Sequence, residues 1–161
     1  MIAPINYRPI GVIRSPHTVF DKTPIQPVFA GGFEGRVEVD DEFAPGLTDI
    51  EGFSHLYLVY HLHEVGPTRL MTKPFLQDVE RGIFATRAPW RPNPIGISVV
   101  ELVRREGNVL VIDGVDVLDG TPLLDIKPYC SRFDVIEGTR DGWYLQVDEA
   151  DAQARGRRNL P

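Results

Sequence analysis

The stretch Phe33-Glu34-Gly35-Arg36-Val37-Glu38-Val39 sets Phe33, Gly35, Val37 and Val39 against Glu34, Arg36 and Glu38. A period of two belongs to a strand with one face buried and one in water, because successive side chains of an extended chain point to opposite faces. Shorter pieces of the same kind lie on either side. Residues 10–14 are an apolar run closed by Ser15-Pro16, and residues 53–63 read as a longer strand. Residues 95–104 and 109–115 flank Glu106-Gly107-Asn108, a hairpin turn. Residues 123–126 and 143–147 complete the set of expected strands. Helical signals are scarce: one short turn within 45–50, and another after Pro74 within 70–81. Many short strands punctuated by Gly and Pro point to an all-β chain folded as a single closed or nearly closed β-barrel with little helix. That domain is expected over residues 1–147, with 148–161 a polar C-terminal tail that frays as a helix or stays disordered.

With 161 residues, 42% of them hydrophobic and 25% charged, the chain suits one soluble domain with a real core. No apolar run is long enough to span a bilayer, and no charged-then-apolar leader opens the sequence, so no membrane partner is expected. Cys130 is the only cysteine, which excludes an internal disulfide and suits a cytoplasmic protein. Cys130 itself reads as a small, half-buried residue. A net charge of -6 excludes a surface that is basic all over. The bases are nevertheless uneven: Arg69, Lys73, Arg81, Arg87 and Arg91 crowd the middle, while acids dominate residues 34–51. Such a local patch can hold RNA in a salt-sensitive way.

The middle of the chain holds its most specific segment, Gly82-Ile83-Phe84-Ala85-Thr86-Arg87-Ala88-Pro89-Trp90-Arg91-Pro92-Asn93-Pro94-Ile95-Gly96-Ile97-Ser98. It starts as a strand, breaks into a loop with three prolines, and re-enters a β-branched strand. Each proline fixes its own φ and pushes the preceding residue toward extended geometry. The loop is therefore stiff and carries Arg87 and Arg91 with little freedom to fold back. Two preset guanidiniums beside Trp90 suit a planar anion.

This segment closely resembles the signature of the TsaA-like (TrmO) family, S-adenosylmethionine-dependent methyltransferases acting on threonylcarbamoyladenosine at position 37 of tRNA. The one departure is Ile83, where the family has Ala or Val. A second family motif, Leu-Asp-Gly-Thr-Pro followed by Asp-Ile-Lys-Pro-Tyr, is matched by Leu118, Asp119, Gly120, Thr121 and Pro122 and by Asp125, Ile126, Lys127, Pro128 and Tyr129. The resemblance covers residues 10–134. It implies a β-barrel that dimerises, with S-adenosyl-L-methionine near the subunit interface. Many bacterial members carry a further C-terminal domain beyond the matched stretch.

No Gly-x-Gly-x-x-Gly follows a strand and opens a helix, so a doubly wound cofactor site is unsupported. The cofactor contacts must come from barrel loops. The resemblance places Pro24, Ile25 and Gln26 of the rigid loop Thr23-Pro24-Ile25-Gln26-Pro27 against the cofactor, together with His63, Glu64, Arg87, Ile97, Asp119, Gly120, Thr121 and Pro122. By charge and rigidity Arg87 is the partner for a carboxylate. Asp119, His63 and Tyr129 are the candidate catalytic residues, any of which could accept the proton lost from a methylated nitrogen. Arg91, Asn93 and Trp90 are the candidate RNA contacts: Arg91 for phosphate, with help from Arg81, Lys73 and Arg69, and Trp90 for stacking on a splayed base. Apolar Phe84, Trp90, Ile95 and Ile97 make a homodimer the expected assembly.

Two other readings remain open. Period two would put His55, Tyr57, Val59, His61 and His63 on one face, and imidazoles on a strand can hold a metal. A metal-dependent barrel enzyme using His55, His61 and His63 is thus an alternative. The strand period sends Glu64 to the opposite face from His63, and the family resemblance favours no metal. The second alternative is a non-catalytic barrel that binds a nucleotide or a protein partner.

Overall fold

The computed structural model describes residues 3–158. Six strands close into an antiparallel barrel in the order β1-β2-β7-β6-β3-β8. They are β1 (Gly11–Arg14), β2 (Glu34–Val39), β3 (His55–His61), β6 (Ile95–Glu106), β7 (Val109–Asp113) and β8 (Thr121–Pro128). A two-stranded ribbon, β4 (Met71–Thr72) with β5 (Arg81–Gly82), stands beside the barrel. Two helices, α1 (Ser131–Asp134) and α2 (Glu149–Arg157), follow the last strand.

Alternation fills the barrel as the sequence implies. On β2, Val37 and Val39 face inward while Glu34 and Arg36 are exposed. Ile13, Leu56, Leu58, Val100, Leu110, Ile112 and Leu123 meet them in one core. Every buried side chain of β3 is thus Leu56, Leu58 or Tyr60, so His55, Tyr57, Val59 and His61 lie on the outside of the barrel. Period two holds there, but the histidine face is not a site. Among the described residues no three His, Cys, Asp or Glu side chains converge as metal ligands, so the metal-enzyme alternative lacks its ligand set.

The expected β6–β7 hairpin forms with Glu106 opposite Val109, and Gly107 takes a φ of +67° that only glycine adopts freely. Asn108 donates from Nδ2 to the Val39 carbonyl at 2.7 Å, tying the turn to the end of β2.

One expectation is corrected and two are sharpened. Residues 143–147 are not a strand; Gly142–Gln146 is a 3-10 turn in which Trp143 stacks on Tyr144 and donates from Nε1 to the Ala85 carbonyl at 2.7 Å. That indole bond needs the chain to curl toward residue 85, which an extended segment could not do. Residues 70–81 hold the short turn expected after Pro74, closed by the Gln77 N–H on the Pro74 carbonyl at 3.1 Å, and their flanks pair as β4 and β5. Of the two forms expected for the tail, the structure has the helix, and it is docked on the barrel. Asp148 caps α2 by accepting from the backbone N–H groups of Ala150 and Asp151, and Gly156 sits directly on the Phe29 ring. A Cβ at residue 156 would lie 2.4 Å from that ring, so only glycine permits this docking. The last part of the expected tail, 159–161, lies outside the described residues. Among the described residues no helix is long and apolar enough to cross a membrane.

Candidate functional site

A cleft of about 300 Å³ opens where the loops of β1, β3, β6 and β8 meet the end of α2. Its size is within the range of small-molecule sites. Pro24, Ile25, Gln26, His63, Glu64, Arg87, Ile97 and Thr121 all line it, although they come from four separate parts of the chain. Asp119, Gly120, Pro122, Tyr129, Trp90 and Asn93 do not.

The two arginines of the proline-rich loop have parted company. Arg91 does fold back: its Nη1 donates to the Ile83 carbonyl at 3.1 Å and the Thr86 carbonyl at 2.9 Å. The Ile83 carbonyl already accepts from the Thr86 N–H and hydroxyl, and the guanidinium adds a further donor there while also reaching the Thr86 carbonyl, so one side chain clamps both ends of the 3-10 turn. Arg91 thus staples the loop. Arg87 stays exposed and donates from Nη1 to Gln26 Oε1 at 2.6 Å, joining two expected cofactor segments. Trp90 is only half exposed and packs against Phe20 and Phe75, with the Arg69 guanidinium 5.1 Å from its ring. These contacts take up part of the ring's surface. Asn93 is exposed on the loop surface.

β3 ends at His61, so His63 and Glu64 sit in a turn where strand alternation no longer applies. Both enter the same cleft, with His63 Nε2 3.9 Å from Glu64 Oε1, rather than pointing to opposite faces. Asp119 is turned toward β1: its Oδ1 accepts from the Ser15 N–H at 3.1 Å, and Arg14 lies 3.8 Å from Oδ2. Tyr129 packs on Tyr57 and His55 outside the barrel. Of the three candidate proton acceptors, His63 alone lines the cleft.

The cleft also holds groups that pattern reading passed over. Asp116 is 9% exposed and accepts a 2.6 Å hydrogen bond from Ser98 Oγ, whose oxygen is 2.8 Å from the Tyr60 hydroxyl. Burial pushes the Asp116 carboxyl up to about 7, against the Ser98 bond and the Arg87 charge, which favour ionisation. Burial, with the Asp116 charge adding to it, holds the Tyr60 phenol well above its ordinary range. Tyr60 therefore stays a neutral donor to Ser98, which donates to Asp116. The ring of Tyr60 lies over Gly96, its partner across β3 and β6, where a Cβ would come within 2.1 Å. On the far side, His17 is 5% exposed, and burial lowers its pKa. The neutral ring donates from Nε2 to the Val115 carbonyl at 2.9 Å, and Ser15 Oγ donates to Val117 O at 2.6 Å. The backbone on both sides of Asp116 is thus pinned. One signal was available: Asp116 interrupts the apolar run Val115-Asp116-Val117, where a charge is out of place unless it has work inside. Arg158 was also missed. It donates from Nη1 to the Phe20 carbonyl at 2.6 Å and lies 4.1 Å from the Phe75 ring, so α2 supplies one wall of the cleft.

This barrel and cleft have counterparts. A crystal structure of TrmO superposes with a TM-score of 0.74 at 37% identity, covering 87% of this chain and 64% of that one. TrmO from Pseudomonas aeruginosa gives 0.74 at 38% identity, covering 87% and 62%. A probable S-adenosyl-L-methionine-binding protein of Pyrococcus abyssi is 57% identical over 139 residues, 86% of this chain and 76% of that protein. The mouse tRNA (adenine(37)-N6)-methyltransferase is 35% identical over 133 residues, 78% of this chain but 31% of its own length. The chain therefore spans under two thirds of the solved TrmO chains and about a third of the mouse enzyme. The family model of the tRNA-methyltransferase O N-terminal domain matches residues 12–135, from β1 through α1, and with the shared barrel it shows that the chain belongs to that family.

Proposed function

We propose that the chain is a methyltransferase that binds S-adenosyl-L-methionine in this cleft, without metal, and methylates N6 of adenosine 37 in tRNA where that base carries a threonylcarbamoyl group. The observation that carries the reading is the convergence of Gln26, His63, Glu64 and Arg87 on one partly apolar cleft in a chain of this family. The residues fit the cofactor. Arg87 offers a fork for its carboxylate, Gln26 and Glu64 offer acceptors for ribose hydroxyls, and Pro24, Ile25 and Leu118 offer apolar wall for adenine. The bound cofactor supplies a methyl group on a positively charged sulfur.

The protein's share is positioning. A urea-like nitrogen is a poor nucleophile, so the cleft must hold it in line with the methyl group and keep water out. His63 is placed to take the departing proton, directly or through water. The chain works on tRNA as a cytoplasmic homodimer, with exposed Phe84, Ile95 and Ile97 available to a second copy. Exposed Arg69 and Lys73 offer cations for RNA phosphates, and the overall charge of -6 makes that contact weak and salt-sensitive.

Calorimetry on chelator-treated protein tests the cofactor; saturable binding is expected, and heat at background level overturns it. Labelled S-adenosylmethionine is then incubated with tRNA bearing threonylcarbamoyladenosine and with the same tRNA lacking it. Label confined to the modified tRNA, falling as salt rises, supports the substrate. Label in neither tRNA, from protein that binds the cofactor, refutes it.

A further inference from the structure

Four cations and acids line the cleft besides Arg87 and Asp116, and each is engaged. Arg91 holds the Ile83 and Thr86 carbonyls, and Arg158 holds the Phe20 carbonyl with Asp21 at 3.6 Å. His63 and Glu64 face each other, and the Glu64 side chain is 65% exposed. Arg87 and Asp116 differ. Arg87 spends one nitrogen on the neutral Gln26 amide, and its guanidinium has four further N–H donors. The Asp116 carboxylate is buried against hydroxyls, with no cation on it but the field of Arg87. One positive and one negative group therefore share a cleft without being spent on each other.

We infer that Arg87 and Asp116 together form a subsite for an α-amino-acid zwitterion, Arg87 taking the carboxylate and Asp116 the ammonium. The inference rests on the proposed cofactor, whose methionine end is such a group. Three features favour it over a purely structural carboxylate. The acceptor is built: Gly96 admits the Tyr60 ring, Tyr60 orients Ser98, and Ser98 holds Asp116 Oδ1. It is buried in the cleft wall, within reach of a small ligand in the cleft. An ammonium would also replace the hydration that burial removes from Asp116, which neutral hydroxyls do only in part.

The groups facing Asp116 are Tyr60 from β3, Ser98 from β6 and Arg87 from the proline-rich loop, with His17 behind Val115 and His63 and Glu64 across the cleft. An ammonium pairs only with the ionised carboxyl, so affinity must fall as acid protonates Asp116. The test is calorimetry from pH 5 to 8 with two probes, S-adenosylmethionine and 5′-methylthioadenosine, which keeps the nucleoside but lacks the amino acid. For the parent, S-adenosylmethionine affinity should rise by up to about tenfold per pH unit between pH 5 and 6.5, while methylthioadenosine stays flat. Asp116→Asn should weaken S-adenosylmethionine more than tenfold at pH 7.5 and flatten its profile, leaving methylthioadenosine unchanged. Ser98→Ala, which deletes the bond favouring the charged carboxyl, should move the S-adenosylmethionine profile to higher pH.

Equal weakening of both probes by Asp116→Asn would mean a structural carboxylate and overturn the inference. So would unchanged binding with lost turnover, which would make Asp116 a proton acceptor instead. A parent profile equally flat for both probes overturns it without any variant. If the parent binds neither probe, the cofactor reading fails and the zwitterion subsite with it.

Discussion

Asp116 also carries a consequence for stability. Its folded pKa of about 7 stands above the ordinary 3.8, so between those values the folded chain holds more proton than the unfolded one. Its contribution to stability is complete below about pH 4 and is lost as pH rises toward 7 and beyond, a total on the order of 4 kcal/mol. Asp116→Asn removes that dependence. Thermal melts of parent and variant should therefore differ more in the variant's favour at pH 8 than at pH 5, by roughly 2 kcal/mol. An identical difference at both values would show that another group titrates. Arg87 makes the opposite case, because it is exposed and bonded to one amide. Arg87→Ala should leave the melting temperature within a degree or two, yet cost about 2–5 kcal/mol of cofactor affinity by calorimetry. Arg87→Lys should restore only part, since a point charge lacks the fork. Of these two residues, Arg87 stood out beforehand as a charge in a proline-locked loop and does line the cleft, although the same reasoning misplaced Arg91, which turns back onto two carbonyls. Asp116 was not, because its role depends on Tyr60 and Ser98, which reach it only when β3, β6 and the segment after β7 are brought together.

At the scale of elements, the strands were readable wherever one face is buried and the other wet, as on β2 and β3. The readings failed where local pattern lost to long-range bonds. Residues 143–147 carry strand-like side chains, but the Trp143 bond to Ala85 and its stack on Tyr144 curl them into a 3-10 turn. The polarity of α2 hides its docking, which uses Gly156 against Phe29 and the Gly156 carbonyl accepting from the Ile25 N–H at 3.1 Å. The contact between β3 and β6 gives the sharpest test. Gly96→Ala places a Cβ 2.1 Å from the Tyr60 ring, so the ring must move and its bond to Ser98 must break. Overpacking of this kind costs about 1–3 kcal/mol, or several degrees of melting temperature. Combining it with Tyr60→Leu should recover part of the loss in a double-mutant cycle. Simple additivity would place the strain elsewhere.

For the whole molecule, closure of six strands removes the sheet edges through which barrels otherwise associate. The barrel sheet then offers a second copy side chains rather than an edge, and Phe84 at 74% exposure, Ile97 at 53% and Ile95 at 41% are exposed apolar ones of the proline-rich segment. Light scattering at micromolar concentration should give about twice 18.1 kDa, and Phe84→Glu with Ile97→Glu should reduce it to the single mass. A parent already at the single mass would contradict the dimer. The docking of α2 has a further consequence for how the molecule is made. A ribosome releases the chain from its N-terminus, so the strands of the barrel, complete at Pro128, emerge before residues 149–158. The barrel can then close before the wall carrying Arg158 has emerged. A nascent chain would pass through an interval in which its barrel is folded and its cleft still lacks a wall, so the pocket would be finished after the fold that frames it.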